Sequence, residues 1–384
     1  MNTSSGEYES KTGLGNMGNT CFMNSALQIL THCDELTQFT LSHNFTNKLS
    51  QVYKQYLAEY NSARNSFAPH KLKSTMGQKF RLFSGYGQQD SHEFMINFLD
   101  YLEEDLKKES IPDHFKSIVS ELFDCRMKTV IKSLESAERS TKEDPVRFLS
   151  VSIPSKKQIT LEDCLMQFIG KEEIGEDGSI LWETPTKKRE RARKVNIITK
   201  FPKYLIFQVK RYSFKQGFGQ KITTDIKAKE KWESDLFPED SFYELKGFIF
   251  QTGGLGGGHY VSYVKIKGEW FCFNDSSVNR ISHDVAMKVA TKSYLLFYAH
   301  RLNTDTVYIN GELDSEDENS DHLKEVNEYI NDVNDNMLDN NSNSYYTVGK
   351  KMSKREKRQQ KKTQRNNNAA QKKRKIYVLT GGRH

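Results

Sequence analysis

The chain has 384 residues, of which 36% are hydrophobic, 11% aromatic and 28% charged, with a formal net charge of +7. No run approaches the roughly 20 apolar residues of a membrane span, and the first residues lack the basic and apolar regions of a secretion signal, so we expect neither a membrane partner nor export. The five cysteines are odd in number and scattered, which argues against a disulfide scaffold and favours free thiols in a reducing compartment.

The order of the predicted elements indicates the fold class. Apolar side chains at three- and four-residue spacing predict helices in the first 120 residues or so, over residues 24–32, 48–62 and 91–108. After residue 123, short apolar runs punctuated by proline predict strands, over residues 148–153, 204–209, 243–250 and 260–264. A helical first part and a sheet-rich second part predict an α+β architecture with a cleft between them. Residues 172–194 form a charged, turn-rich insertion, and its basic run 187–194 is expected to be a solvated loop.

The charges of the last 80 or so residues are segregated. Residues 311–340 contain 11 acidic side chains and one lysine, whereas residues 350–375 contain 13 lysines or arginines and one glutamate. Such polar stretches cannot repay the entropy of ordering, so we predict disorder there. The resulting division is a flexible N-terminus (1–12), a folded domain (13–302), an acidic disordered linker (303–349) and a basic disordered tail (350–384).

The basic tail has the composition of a nuclear or nucleolar address, or of a patch that neutralises the phosphates of nucleic acids. No aromatic residues interleave the charges of 350–375, which favours simple electrostatic binding over base stacking. The alternative is a solubilising segment that contacts the neighbouring acidic linker. We therefore expect a nuclear or cytoplasmic protein, with the nucleus or nucleolus favoured by this tail.

Residues 13–28 contain three glycines and three asparagines, a composition that suits a tight turn leading into a helix. If that helix begins near Cys21, its free N–H groups and its dipole favour a thiolate at this position. The alternative is that Cys21 is a small buried apolar side chain, the commonest fate of a free cysteine. This segment alone leaves both interpretations open.

Residues 251–263 contain five glycines directly before His259. Glycines leave room for an extended ligand backbone beside the imidazole, although a flexible hairpin with a structural histidine is the alternative. About fifteen residues further on, Asn274 and Asp275 could return on the next strand and place an amide or a carboxylate beside the ring. A thiol, an imidazole and an orienting group are what nucleophilic cysteine catalysis requires.

The developing oxyanion of such a reaction also needs hydrogen-bond donors. The backbone N–H of Cys21 and the side-chain amide of Asn16 on the preceding turn are the candidates. The reaction class that these residue types predict is acyl transfer from a thiol to water.

Several segments resemble the ubiquitin-specific protease family, which consists of papain-like deubiquitinating cysteine peptidases. Residues 13–28 look like its cysteine box, residues 88–94 (QQDSHEF) like its QQDxxEF segment, and residues 205–212 like its LxxxLKRF strand. Gly258, His259 and Tyr260, together with residues 270–278, resemble its histidine box, and residues 294–298 resemble its closing strand. The resemblance covers residues 13–299 in the family's order, which makes a chance match implausible.

The resemblance implies a papain-like fold with a helical thumb, a β-sheet palm and fingers. It implies Cys21 as the nucleophile, His259 as the general base and Asn274 as the third member of the triad. Asn16 matches the oxyanion amide, and Asp275 would support either the imidazole or the oxyanion. The implied activity is hydrolysis of the isopeptide or peptide bond after the C-terminal glycine of ubiquitin, through a thioester, with ubiquitin and ubiquitinated proteins as partners.

The resemblance also implies substrate contacts. Asp90 and Glu93 would face the arginines of the ubiquitin tail, since two carboxylates at i and i+3 share a helix face. Their alternative role is to cap the helix that they begin. Tyr260, Gly257 and Gly258 would line the channel for the terminal Gly-Gly.

One departure from the family concerns zinc. Many members carry two Cys-x-x-Cys pairs that bind zinc in the fingers, whereas this sequence has none. Cys125 and Cys164 lie where ligands would be expected but cannot supply the four that tetrahedral zinc needs. We therefore expect reduced, zinc-free fingers around residues 123–194, with no metal or other cofactor. Two other functions stay open: a catalytically inactive ubiquitin-binding module, and a nucleic-acid-associated adaptor that acts through its basic tail.

Overall fold

The structure is a computed structural model that describes residues 9–175, 180–215, 218–238, 240–254 and 257–302. The predicted acidic linker and basic tail lie outside the described residues, so the expectations about them stay predictions.

Helices dominate the first part of the chain. They are α1 (Cys21–Thr31), α2 (Asp34–Ser42), α3 (Lys48–Ser62), α4 (His70–Lys79), α5 (Ser91–Lys108), α6 (Asp113–Lys116), α7 (Ile118–Phe123), α8 (Leu161–Ile169) and α9 (His283–Ala290), with a 3₁₀ turn at Arg81–Phe83. The predicted helices over 48–62 and 91–108 are confirmed, and the one predicted from residue 24 begins earlier, at Cys21. Within the described ranges, no helix has both the length and the apolar character that crossing a membrane demands.

Strands dominate the rest. They are β1 (Gly13–Leu14), β2 (Ser66–Phe67), β3 (Cys125–Ser133), β4 (Arg139–Val146), β5 (Leu149–Val151), β6 (Ile159–Thr160), β7 (Lys171–Ile174), β8 (Trp182–Glu183), β9 (Arg189–Glu190), β10 (Ala192–Lys200), β11 (Tyr204–Val209), β12 (Tyr212–Lys215), β13 (Phe218–Lys221), β14 (Ile226–Lys227), β15 (Lys231–Trp232), β16 (Ser241–Gly254), β17 (Gly257–Ile266), β18 (Glu269–Asn274), β19 (Ser277–Ile281) and β20 (Leu295–Leu302). Three of the predicted strands match or fall within β11, β16 and β17, whereas the fourth, over residues 148–153, is longer than β5, which it contains.

A mixed sheet separates two hydrophobic cores. Its order is β19-β18-β17-β16-β20-β11-β5, with β15 paired to β16. Successive side chains of a strand point to opposite faces; on β20, Leu295 and Phe297 belong to the core shared with α1 to α5, whereas Leu296 and Tyr298 belong to the core on the other face. The sheet therefore presents one face to the helices of the first part of the chain, where α1 packs against β17.

The expectation of a solvated loop over residues 187–194, at the end of the charged insertion 172–194, is wrong. This segment contains β7, β8, β9 and the start of β10, and β10 belongs to a second sheet of order β4-β3-β10-β7. Its charges pair across strands, because Arg193 lies 2.6 Å from Glu173 and Lys194 lies 3.1 Å from Glu172. Opposite charges on neighbouring strands stabilise the pairing of those strands.

The tip of this second sheet is closed by hydrogen bonds. Ser133 and Ser136 donate to the Glu190 carboxylate at 2.5 and 2.6 Å.

Cys125 and Cys164 are both buried, and burial raises the pKa of their thiols to about 12 and about 11. Among the residues that the structure describes, no group of three or more His, Cys, Asp or Glu side chains is placed to hold a metal ion.

Candidate active site

The turn before α1 is organised by one side chain. Asn16 Oδ1 accepts hydrogen bonds from the backbone N–H groups of Gly18 (3.0 Å) and Thr20 (3.1 Å). Gly18 and Asn19 have φ values of 90° and 54°, in the left-handed region that glycine and asparagine tolerate best. The chain then enters α1 at Cys21, so this residue lies in the first turn, where backbone N–H groups have no acceptor within the helix.

Gln88 connects the thiol to the strand that carries the histidine. Cys21 is 1% exposed, and its Sγ lies 3.7 Å from Oε1 and 3.8 Å from Nε2 of Gln88. The same Nε2 donates to the carbonyl oxygen of Gly258 at 2.8 Å, directly before His259. The described contacts include no direct hydrogen bond between the thiol and the imidazole, and catalytic hydrogen bonds are often long until substrate binds.

The other four cysteines are poorly suited to act as nucleophiles. Burial raises the pKa of the thiols of Cys33 and Cys272, as it does for the two cysteines beside the second sheet. Because the thiolate is the reactive form, these side chains are held in the unreactive form at neutral pH.

The His259 ring is held by Asn274. His259 Nε2 lies 2.6 Å from Asn274 Oδ1, and because an amide oxygen only accepts, this nitrogen carries the proton. The other nitrogen, Nδ1, is then available to accept a proton from a thiol. β17 and β18 run antiparallel with Ser262 opposite Phe273, so the end of β18 lies beside the start of β17.

Asp275 holds the amide side chains of two asparagines. It lies in the turn between β18 and β19 with a φ of 51°. One carboxylate oxygen accepts from Asn16 Nδ2 at 2.9 Å, the other accepts from Asn24 Nδ2 at 2.7 Å, and the backbone carbonyl accepts from the N–H of Leu14. The sequence left two roles open for Asp275. These contacts favour the role in which Asp275 holds the Asn16 amide, the predicted donor to the oxyanion.

Asp90 is the N-cap of α5 and an acceptor for two tyrosines. Its Oδ1 accepts from the backbone N–H groups of His92 and Glu93, and its Oδ2 accepts from the hydroxyls of Tyr260 (3.2 Å) and Tyr294 (2.8 Å). Burial, with Asp90 nearby, raises the pKa of both tyrosines, so the hydroxyls stay protonated and donate. Asp90 therefore caps α5, and the Glu93 side chain is exposed; contact of either carboxylate with the ubiquitin tail stays a prediction.

The hairpin itself requires one of the glycines before His259, namely Gly258. Gly253 pairs with Gly258, and Gly254 with Gly257, across β16 and β17. A Cβ on Gly258 would lie 2.2 Å from the carbonyl oxygen of Thr252. A side chain at this position would therefore separate the two strands, whatever ligand passes nearby.

Three residues of the site were missed by reasoning from the sequence. Gln88 belongs to the QQD segment, but nothing in that segment indicated a contact with the thiol. Asn24 lies three residues after Cys21 and is 1% exposed; a buried amide in the first turn of a mostly apolar helix is the signal that could have identified it. Tyr294 carried no such signal, because its partner lies 204 residues away.

At the junction of helices and sheet, the structure brings together residue types that nucleophilic cysteine catalysis requires, namely Cys21 in the first turn of α1 and His259 beside the Asn274 amide. The family model for ubiquitin carboxyl-terminal hydrolases matches residues 12–298. The chain therefore belongs to this family, and the predicted family and α+β fold class are confirmed.

Related proteins extend this assignment. Ubiquitin carboxyl-terminal hydrolase Usp2 of Drosophila melanogaster is 31% identical over 332 residues, which cover 76% of this chain and 35% of that protein. Ubiquitin carboxyl-terminal hydrolase 3 of Homo sapiens is 28% identical over 353 residues, which cover 75% of this chain and 67% of that protein. The SAGA DUB module of Ubp8, Sgf11, Sus1 and Sgf73 bound to monoubiquitin matches with a TM-score of 0.64 at 27% identity, over 77% of this chain and 70% of that chain. The chain thus spans about a third of the fly relative and two thirds of the human one.

Proposed function

We propose that this chain is a thiol-dependent deubiquitinating hydrolase that cleaves the isopeptide or peptide bond after the C-terminal glycine of ubiquitin. The observation that carries the proposal is the connection of Cys21, through Gln88, to the strand of His259, whose ring Asn274 holds. Similar structures were solved with monoubiquitin and with ubiquitin aldehyde, which supports ubiquitin as the substrate.

The proposed reaction proceeds through a thioester. His259 Nδ1 takes the proton of Cys21, and the sulfur attacks the carbonyl carbon of the terminal glycine. The resulting oxyanion accepts from the N–H of Cys21 and from the second hydrogen of Asn16 Nδ2, whose first hydrogen is bound by Asp275. The imidazolium then protonates the leaving amine, and a water molecule activated by His259 hydrolyses the thioester. Asn274 keeps the ring aligned through both steps.

We propose that Glu93 faces the basic residues of the ubiquitin tail, because its exposed carboxylate lies in the first turn of α5. Asp90 adds negative charge nearby, although its oxygens already accept four hydrogen bonds. Tyr260, Gly257 and Gly258 are proposed to border the channel for the terminal Gly-Gly.

The test is hydrolysis of a fluorogenic ubiquitin C-terminal substrate and of isopeptide-linked diubiquitin. Cys21→Ser should abolish turnover of both, because the hydroxyl is a far weaker nucleophile than the thiolate. Cys272→Ser is the matched control, since this partly exposed cysteine lies on β18 and should leave the rate unchanged. Ubiquitin binding without turnover by the wild type would instead assign the chain to the inactive binding modules.

We also propose that residues 13–302 form the catalytic domain and that the basic tail binds polyanions and favours a nuclear location. The 13 basic residues of 350–375 support this, because neutralised phosphates release counterions and make binding strongly salt-dependent. Replacing the four basic residues 372–375 by alanine should weaken binding of a duplex oligonucleotide to the full chain and flatten its salt slope. An unchanged salt slope would instead support the alternative, in which the basic tail is a solubilising segment.

A further inference from the structure

The catalytic histidine is flanked by two contacts from the segment that precedes α5. On one side, Gln88 Nε2 donates to the carbonyl of Gly258 at 2.8 Å; on the other, the Tyr260 hydroxyl donates to Asp90 at 3.2 Å. Residues 88–90 thus hold β17 immediately before and immediately after His259. We refer to residues 88–90 as the clamp segment.

The clamp segment is fixed relative to the nucleophile. Ser91, the first residue of α5, is buried and hydrogen-bonded through Oγ to Ser25 of α1 at 3.2 Å. Phe22 of α1 packs edge-on against Phe94 of α5, with ring centroids 5.8 Å apart. Because α1 begins with Cys21, anything attached to the start of α5 keeps a constant position relative to the thiol.

Asp90 also reaches a second strand of the sheet. Tyr294 lies immediately before β20, is 6% exposed, donates to Asp90 Oδ2 at 2.8 Å and accepts from Gln208 of β11 at 2.9 Å. One carboxylate therefore joins the N-terminus of α5 to two strands of the sheet. A half-buried carboxylate that accepts four hydrogen bonds is a rigid junction, and loss of its acceptor atoms leaves the hydroxyl hydrogens of two buried tyrosines without an acceptor.

We propose that Gln88 and Asp90 are positioning residues that set the location of His259 relative to Cys21, and that Asp90 does so through Tyr260 and Tyr294. The inference takes Cys21 and His259 as the reacting pair and so rests on the proposed function. It assigns recognition of the basic tail to Glu93 and alignment of the reacting atoms to Asp90.

The variant Asp90→Asn separates these two roles. Asparagine caps helices as well as aspartate does, so Oδ1 can still accept from the start of α5. The Nδ2 of the new asparagine takes the place of Asp90 Oδ2, which accepts from the two tyrosine hydroxyls. The substitution therefore removes this acceptor together with the negative charge. Tyr294→Phe removes one donor from the same junction and leaves the charge of Asp90 in place.

The first measurement is steady-state kinetics of the full chain on the fluorogenic ubiquitin substrate. We expect Asp90→Asn to lower kcat roughly tenfold to a hundredfold, because small displacements of reacting groups have effects of that size, with KM within about twofold. Tyr294→Phe should lower kcat in the same direction. The double variant should be no worse than Asp90→Asn alone within about twofold, because the two changes break one junction.

The second measurement does not use ubiquitin. Iodoacetamide alkylates thiolates, and an imidazole aligned with a thiol keeps that thiol ionised at lower pH. The alkylation rate at pH 6.5 as a share of the rate at pH 9 therefore reports how well the thiol and the imidazole are aligned. We expect Asp90→Asn, Tyr294→Phe and Gln88→Met each to lower this share at Cys21, with the adduct localised by mass spectrometry. Asp113→Asn, an exposed carboxylate in the first turn of α6, is the control and should leave the share unchanged.

The outcomes are distinct. A raised KM with unchanged kcat in Asp90→Asn, together with an inert Tyr294→Phe, would overturn the proposal and assign Asp90 to the ubiquitin tail. An unchanged alkylation share in both variants, with wild-type melting temperatures, would also overturn it. If the wild type hydrolyses no ubiquitin substrate, the proposed function fails, while the alkylation ratios still decide whether the clamp segment aligns His259.

Discussion

Replacement of Asn274 by alanine tests how the imidazole is held. The amide oxygen of Asn274 accepts from His259 Nε2 at 2.6 Å, and the ring becomes charged during the reaction. A hydrogen bond to a charged group contributes about 1.5–3 kcal/mol, and the exposed position of Asn274 places this one at the lower end. Since about 1.4 kcal/mol is tenfold in rate, Asn274→Ala should lower kcat roughly tenfold. KM should stay near the wild-type value, because the side chain makes no proposed contact with ubiquitin.

The assay is steady-state hydrolysis of the fluorogenic ubiquitin substrate, with Asn274→Asp as the matched variant. Aspartate retains an acceptor at the same position, so it should keep most of the activity that alanine loses. Wild-type kcat in Asn274→Ala would show that Asn274 does not hold the ring during turnover, and so would an aspartate variant as impaired as alanine.

Other parts of the structure give three further expectations. Asn16→Ala should lower kcat roughly a hundredfold at constant KM, because it removes an oxyanion donor; unchanged kcat would exclude that role. Arg147→Ala should lower the free energy of unfolding in urea by about 3 kcal/mol, since Asp124 and Glu103 each lose an ion-pair partner 2.7 Å away; an unchanged urea midpoint would contradict this. Burial alone would raise the pKa of Glu103, but hydrogen bonds led by those of Ser120 and Arg147 lower it from 4.5 to about 2. The stability that Glu103 contributes is therefore complete above pH 4.5 and lost as the pH falls towards 2. In Arg147→Ala, the free energy of unfolding should fall less steeply over this pH range, as measured by acid titration monitored by circular dichroism.

The helices and the central strands could be predicted because their signals are local. Apolar residues at helical spacing define α3 and α5, and the continuous apolar run of β11 predicts a strand buried on both faces. The second sheet gave no such signal. β3 pairs with β10, and the paired residues lie between 59 and 74 positions apart, from Ser133 opposite Ala192 to Arg126 opposite Lys200. The charges of this sheet form cross-strand pairs, which resemble a solvated loop in the sequence.

The types of residue in the site could also be predicted, but not how they are connected. Cys21, His259 and Asn274 stand out from their neighbours, whereas the partner of Asp275 depends on the left-handed turn in which it lies. Gln88 contacts a carbonyl 170 residues away, and the pattern of side chains along the chain does not reveal a contact with a backbone atom. The same limit applies to Asp90, whose capping role was visible and whose tyrosine partners were not.

The most direct test of the account is intact mass spectrometry of the full chain after exposure to a ubiquitin-based electrophile, followed by localisation of the adduct. The account predicts a single adduct on Cys21, absent from Cys21→Ser and retained in Cys272→Ser. An adduct on any other residue, or none on folded protein, would contradict the assignment of Cys21 as the nucleophile that ubiquitin reaches.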